Sequence, residues 1–291
     1  MNDIPANGIS GVPKTWKTAR RELPLTRPLI MGILNVTPNS FSDGNRFLAP
    51  EAAIDRALEM AEQGADIIDI GGESTRPGAE TVEAAEELRR VLPVLRQLNG
   101  KLHCAISIDT WKSQVAREAL AAGAEIINDI SGFTFDNEMP LLAASSGAGV
   151  VLMHTRGTPD VMGKDTHYED LLAEITHGLK QSVQLAIAAG VEQERIVIDP
   201  GIGFGKDAAA NLEILRRLQE FHSLGLPILI GTSRKSFIGK ALGRDTGDRL
   251  CGTAATVALA IAKGAAVLRV HDVREMRDVA DMTHAIINGQ A

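Results

Sequence analysis

Aromatic residues are scarce in this 291-residue chain, at 3% of the total, so the core has to be built from Ala, Val, Ile and Leu. That favours helices packed on strands over an aromatic-rich sandwich. Positive charge is also short. Thirty Lys and Arg against 37 Asp and Glu leave a net charge of −7, which gives no electrostatic reason to expect nucleic acid or an acidic membrane as partner. There are only two cysteines, Cys104 and Cys251; they lie far apart, lack metal-ligand spacing and read as reduced core thiols. No His/Cys cluster of zinc type occurs. The most apolar long stretch, Gly252 to Ala262, is short and closed by Lys263, so no membrane span is expected. The opening MNDIPANGIS lacks the layout of a signal peptide, and together these absences point to a cytoplasmic protein.

What is present is a recurring local pattern: a helical segment, a glycine, then a short apolar run. It appears at 62–70, 121–129, 145–153 and 262–270, with a looser copy at 188–199. Gly64, Gly123, Gly147, Gly190 and Gly264 stand where a helix C-terminus needs a residue tolerant of positive φ. The runs that follow are nearly continuous in Ile, Val and Leu, as expected of parallel strands buried on both faces. Eight such runs fall near 29–34, 66–70, 104–108, 125–128, 149–153, 195–198, 227–230 and 265–269. Helical periodicity separates them: Ile54, Ala57, Leu58 and Ala61 share one face, as do Leu88, Val91, Leu92 and Leu95. Pro93, inside the second set, predicts a kink or a broken turn.

Eight strands alternating with helices predict an α/β fold, a (β/α)8 TIM barrel, over residues 29–291. An open doubly wound sheet is the alternative, but its usual opening glycine fingerprint is missing. Residues 1–28 stand outside the repeat as an N-terminal extension. A cap on the bottom of the barrel and a loose tail both fit their composition.

In such barrels the loops after the strands build the active site. Nearly every expected strand hands over to a charged or amide side chain: Asn35, Asp109, Asn128 with Asp129, His154, Asp199, the Ser233–Arg234–Lys235 run, and Arg269 with His271. Singly, each has a bland reading. Asp109 or Thr110 can cap the helix that begins near Lys112, and Asn128 and Asp199 can be turn residues. His154 reads as structural, and glycines 201, 203 and 205 can be loop punctuation. Convergence on one mouth weakens these readings. Arg269 and His271, two apart on a strand, point the same way and can grip one anion. Asn35 offers a neutral oxygen suited to a hard cation otherwise held by phosphate and water. Asp109, Asn128 and Asp199 would be satisfied by a flat heterocycle rich in N–H donors, since buried unpaired carboxylates are costly.

Five blocks, NVTPNSFSDG (35–44), GGESTRPG (71–78), DPGIGFGK (199–206), GTSRKSFIG (231–239) and RVHDV (269–273), together resemble the dihydropteroate synthase family, pterin-binding barrels of folate biosynthesis. The resemblance runs from about Leu29 to the C-terminus. It implies condensation of 6-hydroxymethyl-7,8-dihydropterin diphosphate with p-aminobenzoate. By that resemblance Asp109, Asn128, Asp199 and Lys235 hold the pterin, and Thr75 reaches the diphosphate substrate. Asn35 binds Mg²⁺, while Arg269 and His271 grip the diphosphate oxygens. Phe41, Ser42, Asp43, Arg76 and Pro77 close over the site, and with Phe204, Lys235 and Ser236 shape the p-aminobenzoate pocket where sulfonamides compete. Lys235, Asp109 and Asp199 would carry the catalysis, and a homodimer is implied. One departure is visible: Asn39 stands where family members commonly have Asp.

Three rivals use related parts. A corrinoid-type pterin methyltransferase has a similar acidic pocket but no need for the Arg269–His271 grip. A Schiff-base lyase would use a desolvated Lys235. A non-catalytic pterin-binding paralogue would keep the ligands without the turnover.

Overall fold

The computed structural model describes residues 12–37, 49–76 and 78–289. A two-stranded antiparallel hairpin, β1 (Thr15–Lys17) and β2 (Glu22–Pro24), comes first. Eight parallel strands follow: β3 (Leu29–Asn35), β4 (Ile67–Gly71), β5 (Ala105–Asp109), β6 (Ile126–Asp129), β7 (Gly149–Met153), β8 (Ile196–Asp199), β9 (Ile228–Ile230) and β10 (Ala265–Val270). They pair in sequence order, and β10 returns to pair with β3, which closes the sheet and excludes the open alternative. Between and after them run α1 (Ala49–Glu62), α2 (Ala84–Leu98), α3 (Ser113–Ala122), α4 (Met139–Ser146), α5 (Leu171–Ala189), α6 (Ala208–Arg216), α7 (Ser236–Leu242), α8 (Leu250–Ala262) and α9 (Val273–Asn288). The expected (β/α)8 barrel is what forms, with each strand within a residue or two of its expected run.

The local reasons hold where the pattern is sharp. The five helix-ending glycines all have φ between 65° and 125°. Asp170 and Asp207 cap α5 and α6 by accepting from the backbone N–H of Ala173 and Ala210. Pro93 does not break α2, which runs through it from Ala84 to Leu98. The apolar stripe of Val91, Val94, Leu95 and Leu98 is fully buried, and tertiary packing of this kind outweighs the hydrogen bond a proline cannot make.

Two layers fill the barrel. Met31, Ile67, Ala105, Ile126, Val151, Val197, Leu229 and Val267 form an apolar lower layer. Side chains alternate along a strand, so the next inward positions are Ile33, Asp69, Ser107, Asn128, Met153, Asp199, Gly231 and Arg269. The interior therefore turns from apolar to polar within one strand period. Outward-facing positions such as Ile30, Ile68, Ile70, Ile106 and Ile108 pack against the helices.

The hairpin settles the cap-or-tail question for residues 15–24. Trp16 is fully buried against the apolar lower layer and donates from Nε1 to Arg195 O at 2.9 Å. Arg21 and Thr18 hold the otherwise buried Glu125, at 2.7 and 2.9 Å, at the foot of β6. The hairpin thus plugs the end of the barrel opposite the polar layer. Trp16→Ala is expected to cost about 3–5 kcal/mol of stability, read by urea denaturation, because the surrounding rigid strands cannot collapse into the space.

Candidate active site

The floor of the mouth is a network centred on a carboxylate in the middle of β4. Asp69, fully buried, accepts from Arg269 Nε at 2.6 Å and from Asn128 Nδ2 at 2.9 Å, both on Oδ2. Arg269 Nη2 donates in turn to Asp109 Oδ2 at 2.7 Å. The remaining oxygens, Asp69 Oδ1 and Asp109 Oδ1, are buried and have no hydrogen-bond partner among the described residues. Burial pushes the Asp109 carboxyl up to about 7, against the pull of Arg269 and with that of Asp69. Burial works against the Arg269 charge, but Asp69 and Asp109 outweigh it and hold its pKa above the ordinary range.

Asp109 is not a helix cap. The N-terminus of α3 is served from another loop, with Asp136 Oδ2 accepting from Ser113 N at 2.7 Å. Asn128 is not a turn residue either. Asp129, beside it, is one: its carboxylate accepts from Ser131 N and Phe133 N and stays out of the mouth. Asp199 does both jobs. Its Oδ1 accepts from Gly201 N at 2.7 Å in a local turn, yet it is buried at the end of β8 and its charge faces Lys235. Burial raises the Asp199 carboxyl, with Lys235 opposing.

Lys235 closes one side. Its ammonium donates to Ile202 O and lies 4.6 Å from the centroid of the Phe204 ring. Burial lowers it to about 8, partly offset by Asp199. The turn carrying Phe204 is pinned from below. Buried Lys206 donates to Phe204 O at 2.9 Å and sits 3.1 Å from His154 Nδ1. His154, pushed down to about 3 by burial and Lys206, is a neutral structural residue as expected. Gly201 has φ +74°, and a Cβ there would lie 1.9 Å from His154 O, so this glycine is a packing requirement rather than punctuation. Phe204 joins Ile130, Met153, Met162 and Trp111 in a small apolar cluster beside the acidic floor.

His271 lies on the same inward face as Arg269. Ser233 Oγ accepts from the His271 backbone N–H at 3.1 Å and is 3.0 Å from Nδ1, so the hydroxyl proton is free for that nitrogen. Burial and the Arg269 charge lower His271 to about 4, which disfavours a second cation beside Arg269. Arg234, at φ +60°, turns away to pair with Asp272. Thr75 is half-buried in the loop after β4, and Arg76 is exposed but near enough to act on the charge of His271. Ser236 is the exposed first residue of α7. Phe41, Ser42, Asp43, Pro77 and the departing Asn39 lie outside the described residues.

Asp69 was not anticipated. Its signal was available, since a carboxylate two residues after Ile67 in a run buried on both faces must point into the barrel. A second group also went unread. Lys112 Nζ bridges Glu73 at 2.5 Å and Glu87 at 2.6 Å under the loop after β4, and Glu73 Oε1 accepts from Val82 N at 2.7 Å. These residues are distant in sequence, and nothing in their spacing marks them. Lys112→Met would leave two buried carboxylates without a cation, and is expected to cost about 3–5 kcal/mol. Glu87 is already raised by burial, so the fold would bind protons the unfolded chain releases. The variant should therefore lose stability as pH rises above the ordinary Glu range, which urea denaturation from pH 4 to 8 would read.

A closed barrel with an acceptor-lined floor beside a partly buried arginine defines an enzyme of the (β/α)8 class whose mouth suits a small, donor-rich, anionic ligand. The family model described as "Pterin binding enzyme" matches residues 31–271. A dihydropteroate synthase of Synechocystis sp. is 50% identical over 89% of this chain and 90% of its own. The dihydropteroate synthase of Xanthomonas albilineans, solved with 4-aminobenzoic acid, superposes with a TM-score of 0.89 at 43% identity, covering 94% of this chain and 98% of that one. The same organism's enzyme in complex with 7,8-dihydropteroate gives 0.85 at 41% identity over 94% and 98%. The chain belongs to the pterin-binding enzyme family, among the dihydropteroate synthases.

Proposed function

We propose that the chain joins 6-hydroxymethyl-7,8-dihydropterin diphosphate to p-aminobenzoate, giving 7,8-dihydropteroate and diphosphate. The observation that carries this reading is the contact between Arg269 and Asp109. It sets a guanidinium suited to anions directly against a carboxylate whose other, buried oxygen has no hydrogen-bond partner among the described residues. A substrate with ring N–H donors at one end and a diphosphate at the other satisfies both. The pterin and diphosphate sites are then one connected network rather than two separate pockets. Asp109, Asn128 and Asp199 take the ring donors, Lys235 binds the ring edge, and the Phe204 cluster covers its apolar face. Thr75, Arg269 and His271 take the diphosphate.

In this mechanism the methylene C–O bond breaks ahead of attack, and its electron pair leaves with the diphosphate. Arg269 and the His271 imidazole stabilise that charge, and Asp109 and Asp199 offset the positive charge left on the ring. The nitrogen lone pair of p-aminobenzoate then forms the new C–N bond and the amine loses a proton to solvent. No strong base is needed, because an aromatic amine is neutral near pH 7. Asn35, at the end of β3, offers a neutral Oδ1 that suits a hard cation beside Gly71, where a Cβ would stand in ordinary contact with Asn35 Oδ1 at 3.8 Å and Asp109 Oδ2 at 3.5 Å. Mg²⁺ held there by Asn35 would add positive charge beside the diphosphate. The p-aminobenzoate pocket falls to Arg76, Phe204, Lys235 and Ser236 with the loop residues Phe41, Ser42, Asp43 and Pro77, and sulfonamides would compete in it. Free Cys104 and Cys251 fit a cytoplasmic location.

Diphosphate release from the pterin substrate and Mg²⁺, followed with and without p-aminobenzoate, tests the reading; no p-aminobenzoate-dependent product would overturn it. Lys235→Ala should lower kcat/KM about 100-fold, and wild-type turnover would remove Lys235 from the mechanism. Ring donors favour the ionised Asp109, whose carboxyl is held near 7. Pterin affinity should therefore be full above about pH 7 and weaken by about tenfold per unit below it, read by calorimetric titration. A homodimer is supported by the large apolar side chains left exposed on α8 and α9: Leu250, Leu259, Met282 and Ile286. Sedimentation equilibrium should give a dimer that Ile286→Glu weakens.

A further inference from the structure

We infer that Asp69 is a positioning residue that sets the polarity of the pterin floor by fixing which way the Asn128 amide faces and where the Arg269 guanidinium lies. The inference rests on the reading of the ligand as a donor-bearing pterin and extends it to specificity.

An asparagine side chain has one donor and one acceptor branch that differ little in shape, so its orientation is decided by its partners. Asp69 Oδ2 already accepts from Arg269 Nε at 2.6 Å. An oxygen that accepts from a guanidinium does not itself carry a proton, so the Asn128 atom facing it at 2.9 Å has to be the Nδ2 donor. The amide oxygen, on the other branch, is the atom left for a ligand. The same carboxylate holds Arg269 while Nη2 reaches Asp109 at 2.7 Å, so two of the five guanidinium N–H groups are committed and three are left for an anion. Asp69 thus acts on Asn128 and Arg269 directly and on Asp109 through Arg269. Towards the ring donors the floor then presents Asn128 Oδ1 and the carboxylates of Asp109 and Asp199, with Lys235 left at the ring edge. Such a floor takes ring N–H and amino groups and rejects a ring carbonyl presented at the same place. Asp69 itself lies on a fully buried strand position in register with Ser107, two residues before the Gly71–Asp109 pair at the strand ends, so its effect is exerted through its partners.

Asp69→Asn can itself turn either branch towards Asn128, which frees that amide to flip. The test is steady-state kinetics of wild type and Asp69→Asn, together with inhibition by a 2-amino-4-oxo-pteridine and by the matching 2,4-dioxo-pteridine. The variant should raise KM for the pterin diphosphate by about tenfold or more, because a charge-assisted contact is lost beneath it. KM for p-aminobenzoate should stay within about twofold of wild type, since uniform damage would move both. The preference for the amino over the dioxo compound should narrow. A wild-type KM overturns the inference, and so does a raised KM with an unchanged preference, which would mark a merely structural role. Neutron diffraction from wild-type crystals needs no variant to fold. Deuterium on the Asn128 atom facing Asp69 supports the inference, and an amide turned the other way overturns it. Lack of p-aminobenzoate-dependent turnover in the wild type would instead sink the functional reading, leaving the neutron result to decide the amide orientation.

Discussion

Arg269 donates to two buried carboxylates at once, and the upper half of the barrel depends on that arrangement. Asp69 and Asp109 have been taken out of water with one cation between them, and the charge of Lys235 opposes the burial of Asp199. Removing ions from water costs several kcal/mol each, and a single shared guanidinium cannot repay two carboxylates in full. The shortfall is visible in Asp109, whose pKa burial lifts towards neutrality, and in the oxygens that have no partner among the described residues. A ligand bringing N–H donors relieves the strain of those acceptors. The acceptors that are costliest to bury are therefore the ones a donor-bearing ligand would satisfy.

The rest of the molecule is arranged so that this costly layer can exist. Below it lies a dry apolar layer closed by Trp16 from the N-terminal hairpin. Stability comes from that end and from the helices packed on the outer strand faces, while the mouth is spent on chemistry. The loops that reach over the mouth are anchored by their own buried charges: Lys112 between Glu73 and Glu87 under the loop after β4, and Lys206 on the carbonyls under the turn after β8. Each anchor joins two successive strand ends, so the side chains above them are held by rigid elements rather than by the loops alone.

Much of this is legible in the residues. The glycine-then-aliphatic repeat marks the strands because parallel strands buried on both faces leave little choice of residue. Asp109, Asn128, Asp199, Lys235, Arg269 and His271 stand out because each closes or follows such a run. Asp69 was hidden by the same rule, for it sits inside a run rather than after one, and only inward periodicity distinguishes it from its Ile neighbours. Lys112 and Glu87 had no signal, since charged residues near helix starts are ordinarily solvated, and Glu73, in the loop after β4, looks like one more loop charge. The capping alternative for Asp109 was decided against by Asp136, a residue 27 positions further along the chain. Pro93, expected to disturb α2, does not break it, because a buried stripe overrides local propensity.

Scarce aromatics, an acidic balance and eight aliphatic runs with polar tips determined the class of fold and the end of the barrel where chemistry occurs. Those features are local, set by backbone conformation and by the alternation of side chains along a strand. Closure of the barrel decided the rest. It brought β4, β5, β6 and β10 around one guanidinium and set Asp69 and Asp109 on it as partners. Electrostatic pairing in a dry interior depends on distances of a few ångströms between residues up to 200 positions apart, and no local pattern encodes them.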